Sequence, residues 1–206
     1  KKICNNYGIN SGSGIVVGSD PTPKNTIQVV AEYTLPDSIG WYTNRFIIVK
    51  NNYDVTLDIS TSSVAYDING NIAAADNGNV YAVGPGCTSI IVESFETSVP
   101  IGNYHTEIGI AESAYDSIIQ NLSYVQNNID GGAVFQVTNN GTIPAEFVEG
   151  YALFFKGNQI VDYDLTYFTD NDYEIKPGST ISEQMNSYKD FDRIEFYLTG
   201  RRSKWW

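Results

Sequence analysis

The chain repeats itself, and this constrains its fold more than any other feature. RFIIVKNN at 45–52 returns as AVFQVTNN at 133–140, so Asn51 and Asn52 match Asn139 and Asn140 at an offset of 88 residues. SVAYDINGNI at 63–72 returns as YALFFKGNQI at 151–160 at the same offset. VGPGCTSI at 83–90 returns as IKPGSTIS at 175–182, now at 92, and HTEIGI at 105–110 returns as RIEFYL at 193–198, again at 88. The lead-in agrees too: TIQVVAEY at 26–33 resembles IIQNLSYV at 118–125. Five landmarks in one order mark two copies of one unit.

Each unit reads as strands and tight turns. The matched runs are rich in β-branched and aromatic residues, and an Asn-Asn pair ends each. Val55, Leu57 and Ile59 alternate with Thr56, Asp58 and Ser60, as on a half-buried strand. Asn69-Gly70 and Gly157-Asn158 supply the positive φ of two-residue hairpins. Pro85-Gly86 and Pro177-Gly178 suit the two corners of a type II turn. The best helical window, 113–122, carries Ser and Asn and aligns with a strand of the first unit. The expectation is an all-β fold of two tandem immunoglobulin-like Greek-key β-sandwiches, without the Cys…Trp…Cys pattern of true immunoglobulin domains. Residues 23–112 and 113–206 would be the two domains. Residues 1–22, rich in Gly, Ser and Asn, would be a flexible lead.

Composition narrows the function. The net charge of −12 over 206 residues argues against tracking a phosphate backbone, so no nucleic-acid partner is expected. One histidine and two cysteines support neither a zinc knuckle nor a disulfide-dense scaffold. No metal or cofactor site is expected, and no run is long enough for a membrane helix. Twelve basic residues among many Asn, Tyr, Ser, Thr and Gly suit an extracellular or cell-envelope surface, held as a monomer, with any membrane or wall anchor in a segment outside this chain. Cys4 and Cys87 read as unpaired thiols; the alternative is a disulfide tethering the tail to the first domain.

A strand ending in Lys/Thr-Asn-Asn, the run Ala65-Tyr66-Asp67-Ile68-Asn69-Gly70-Asn71-Ile72, and a Pro-Gly turn before the closing strands are together similar to the FxLYD-type domains. These are small immunoglobulin-like sandwiches of bacterial surface proteins and lipoproteins. The resemblance covers roughly 44–112 and 132–200. It implies an envelope-exposed module and carries over no catalytic residue.

Candidate sites follow from side-chain chemistry. A nucleophilic dyad needs a base, and His105 stands in a plain strand context with no G-x-S-x-G turn nearby. The densest acidic stretch holds Asp162, Asp164, Asp170, Asp172 and Glu174. Its spacing would suit a carboxylate pair or a calcium loop at Asp170-Asn171-Asp172, yet no cleft is implied and the bidentate Glu of an EF-hand is missing. Exposed aromatics make flat platforms for sugar rings or protein contacts. Trp41 and Tyr42 lie in a loop-like stretch, and Tyr163, Tyr167 and Tyr173 in a second polar one. Trp205 and Trp206 follow the basic run Arg201-Arg202-Ser203-Lys204. The reading is a non-catalytic binding, adhesion or spacer module whose partner is an unidentified extracellular protein or glycan. The alternatives are a glycan- or cell-wall-binding protein using Trp41, Tyr42, Tyr163, Tyr167 and Tyr173, and a hydrolase using the 162–174 carboxylates.

Overall fold

A computed structural model describes residues 25–204. The lead at 1–22, Cys4, Trp205 and Trp206 lie outside the described residues. The fold is all-β, with one turn of 3-10 helix at Ile119–Asn121 inside the window that had looked most helical.

Four sheets stack face to face. The first pairs β4 (Ile72–Val83), β3 (Leu57–Asp67) and β6 (Ile101–Glu112). The second pairs β1 (Ile27–Pro36), β2 (Tyr42–Asn51) and β5 (Thr88–Glu96). The third pairs β11 (Gln159–Tyr167), β10 (Ala145–Lys156), β14 (Arg193–Ser203) and β7 (Tyr115–Ser117), with β12 (Glu174–Ile175) on β10. The fourth pairs β13 (Thr180–Asn186), β9 (Gly132–Asn139) and β8 (Leu122–Ile129). All pairing is antiparallel.

Three apolar layers hold the stack. Ile47, Val49 and Ile91 meet Leu57, Ile59 and Val80 between the first two sheets. Phe135, Val137 and Met185 meet Phe154, Phe196 and Leu198 between the last two. The middle layer was not anticipated: Phe46, Ile48 and Ile90 of the second sheet pack on Leu153, Phe155 and Tyr197 of the third. The two inner sheets are therefore buried on both faces, which their unbroken runs Phe46-Ile47-Ile48-Val49 and Leu153-Phe154-Phe155 require. Tyr33 Oη donates to Glu195 (2.9 Å) and Ser89 Oγ to the Leu198 carbonyl (3.1 Å) across this seam.

The turns follow their residues. Gly86 (φ 71°) and Gly178 (φ 75°) take the left-handed corner after Pro85 and Pro177, and each turn closes with a bond from the next N–H, Cys87 to Gly84 (3.0 Å) and Ser179 to Lys176 (2.9 Å). Cys87 is disulfide-bonded, which corrects the expectation of a free thiol there.

Three polar clusters interrupt the apolar interior. Asn51 Nδ2 donates to the carbonyls of Val55 and Val83, both at 2.8 Å, while its Oδ1 accepts the Tyr53 N–H. Asn139 makes the corresponding bonds to Ile143 (2.8 Å), Ile175 (2.9 Å) and the Gly141 N–H. In the first sandwich Arg45 pairs with Glu93 (3.0 Å), directly opposite it on β5, and also bonds Ser63 and Thr106. Glu93 is fully buried and accepts two further bonds of 2.6 Å from Thr61 and Ser63. A buried carboxylate survives only when paired and hydrogen-bonded in this way.

Candidate functional site

The five aromatics picked out from the sequence fall in separate places. Trp41 and Tyr42 close the β1–β2 turn. That turn is rigid: the Asp37 carboxylate accepts the N–H groups of Gly40 and Trp41, and Gly40 takes φ 77°. The Trp41 carbonyl in turn accepts the Thr97 N–H (3.0 Å), which binds it to the β5–β6 turn. The indole is 65% exposed. Beside it the β3–β4 hairpin is locked by Asp67, which accepts from the Asn69 and Asn71 backbones and the Asn71 amide. The Asn71 side chain and backbone hold the Asp67 carboxyl below its usual pKa. Trp41, Ile72 and Val99 line a shallow hollow of about 580 Å³, rimmed by Asp67 and Glu96. Ile39 and Ile68 are exposed on the adjoining turns of the same end.

Tyr163 turns into the middle layer, with its ring 5.0 Å from that of Phe46. Tyr173 is exposed in the β11–β12 turn at φ 64°. Tyr167 alone lines a groove between the halves of the stack, a cavity of about 330 Å³. One wall carries Asn77, Asn79 and Tyr81 from β4; the other carries Phe147, Glu149 and Arg201 from β10 and β14.

The groove contains a carboxylate and a guanidinium in different states. Glu149 Oε2 accepts from Tyr151 (2.9 Å) and Thr199 (3.4 Å). Its hydrogen bond with Tyr167 raises that phenol's pKa; burial and then the Glu149 charge raise that of Tyr151. Arg201 lies against three rings, Tyr81 (4.6 Å), Phe147 (4.6 Å) and Tyr115 (4.7 Å), as stacked cations do. No carboxylate lies within ion-pair reach of it among the described residues, and its Nε is buried without a hydrogen-bond partner. Phe147, one of its rings, is held at φ 51°, a costly conformation for a bulky side chain, where β10 slips register against β14.

The acidic segment has other tasks. Asp162 accepts from Ser187 and the Tyr188 N–H, and Asp164 from the Asn186 N–H, so both tie β11 to the end of β13. Asp170 caps its own turn, and Lys176 places its ammonium against Asp170 and Asp172. His105 is exposed on β6.

Arg201, Phe147 and Glu149 were not picked out from sequence. One signal was present: neighbours on a strand point to opposite faces, so only one of Arg201 and Arg202 can share a given environment. Arg202 meets Glu146 and Glu174, and Arg201 takes the groove. No protein-family model and no curated protein matches the chain.

Proposed function

We propose that the chain is a non-catalytic binding and spacing module of a bacterial cell surface, secreted or anchored through another segment. It is built from two tandem immunoglobulin-like Greek-key units that arose from one repeat. The pairing orders support this: β1-β2-β5 with β4-β3-β6 in one half, β8-β9-β13 with β11-β10-β14 in the other, in the same chain order. The matched bonds of Asn51 and Asn139 support it at the level of single atoms. The FxLYD-type resemblance points to the same setting.

The observation that carries the binding role is the apolar end around Trp41. A large indole and four branched aliphatic side chains are held in water by turns too well bonded to fold them away. An apolar centre with an acidic rim suits a protein partner with an apolar socket and basic surroundings. The glycan reading draws its support from a different observation, Tyr167 in the interlayer groove. The carboxylates of 162–174 spend their oxygens on backbone amides, hydroxyls and Lys176, which favours binding over hydrolysis.

The test is co-sedimentation with intact cell envelopes, protease-treated envelopes and bare sacculi, at low and high salt. Pelleting with intact envelopes only, abolished by Trp41→Ala, supports a protein partner. Pelleting with sacculi moves the reading to a glycan. No Trp41-dependent pelleting anywhere leaves a spacer.

A further inference from the structure

The interlayer groove has the chemistry of an acidic-sugar site. The chain has four arginines. Arg45 meets Glu32 and Glu93, Arg193 meets Glu195, and Arg202 meets Glu146 and Glu174. Among the described residues, Arg201 alone of the four has no carboxylate within ion-pair reach. Its guanidinium is instead fixed by Tyr81, Tyr115 and Phe147, which restrain its orientation while consuming none of its N–H donors. An oriented arginine at a groove, without an ion pair in a chain of net charge −12, has donors free for an anion from outside.

The rest of the groove selects what carries the anion. Phe147 and Tyr167 are more than half exposed and offer ring faces. Asn77, Asn79 and Thr199 offer carboxamides and a hydroxyl, which match a ring bearing several hydroxyl groups. Glu149, already satisfied by protein hydroxyls, adds a negative charge that opposes a second anion on the ligand. The chain's overall charge opposes a long polyanion in the same way. The volume of about 330 Å³ is at the small end of ligand sites and suits a single ring. We infer that this groove binds a pyranose carrying one carboxylate, with the carboxylate on Arg201 and the ring against Phe147 and Tyr167. The strained backbone at Phe147 is then the cost of placing that ring over Arg201. The inference is independent of the Trp41 surface.

The experiment is titration of the protein, followed by backbone amide NMR, with methyl glucuronoside, methyl glucoside and inorganic phosphate. The glucuronoside is expected to bind at least about tenfold more tightly than the glucoside, as a charged hydrogen bond warrants, and to shift amides of 77–81, 147–151 and 199–201. Arg201→Met abolishes that preference, Arg201→Lys weakens it for want of the planar fork, and Trp41→Ala leaves it unchanged. Phe147→Ala removes a ring face from the ligand and one of the three rings that orient Arg201, and weakens both sugars. Equal binding of the two sugars, binding of neither, or a preference that survives Arg201→Met overturns the inference, whatever the envelope assay shows. Phosphate binding as tightly as the glucuronoside overturns the sugar assignment. The wild-type comparison needs no variant to fold.

Discussion

The side chain of Asn139 repeats, bond for bond, what that of Asn51 does 88 residues earlier. Each is buried at the end of its strand and ties a carbonyl of the loop that follows to a carbonyl of a second strand. Replacing either by alanine leaves one buried carbonyl, that of Val83 or Ile175, and one half-buried carbonyl without a donor, a loss of about 2 kcal/mol. Asn51→Asp and Asn139→Asp fail similarly, because a carboxylate accepts where the amide donates. Urea unfolding of the four variants checks this, with an unchanged slope expected.

Arg45 and Glu93 face each other across β2 and β5, and the pair at the corresponding place on β9 and β13 is Ala133 and Met185. Removing one partner strands a buried charge, so Arg45→Ala or Glu93→Met alone is expected to cost about 3–5 kcal/mol. The double variant Arg45→Ala/Glu93→Met imports the apolar pair and recovers most of that loss. A double-mutant cycle by denaturant unfolding measures the recovery.

Trp41 touches solvent more than protein, so Trp41→Ala is expected to change stability by less than about 0.5 kcal/mol. Asp37→Ala, which removes the acceptor holding that turn, is expected to reduce envelope binding while leaving the indole present. Thermal melts beside the pelleting assay separate the two effects.

Tyrosine gives the fold an alkaline limit. Burial first, and then the Glu195 charge, raise Tyr33 to a pKa of about 12, and burial raises Tyr104, Tyr124 and Tyr151 in the same direction. Such a group holds its proton more tightly folded than unfolded. Its contribution is full below the ordinary tyrosine value of about 10 and is lost as pH rises through the folded value. Stability is expected to fall between about pH 10 and 12, read by circular dichroism together with tyrosinate absorbance. Tyr33→Phe makes that fall shallower.

The turns were legible because their residues are dictated by backbone geometry: Gly86 and Gly178 take the left-handed corner that a Pro-Gly pair announces. The face-to-face stack was not read, although its signal was there. Leu57 and Ile59 alternate with polar residues and mark a sheet with one wet face, whereas Phe46 to Val49 and Leu153 to Phe155 do not alternate and mark sheets with none. The groove was illegible for another reason. Arg201 and Tyr81 stand on sheets of different halves and meet only where those halves pack, and no spacing along the chain encodes that meeting.

The middle layer joins unlike partners, the β1-β2-β5 sheet of one half and the β11-β10-β14 sheet of the other. The contact is therefore head-to-tail, and a head-to-tail contact has no natural end. By chain order, the outer β8-β9-β13 sheet is the kind of surface that β1-β2-β5 is, and the outer β4-β3-β6 sheet is the kind that β11-β10-β14 is. Further copies would add indefinitely if those outer faces were apolar. At one end Ser60 and Ser62 are exposed on the outer face of β3, and at the other Gln136 stands where the inner β2 carries Ile48. These few hydroxyls and an amide act as caps on a polymer of sheets, and they set its length at four.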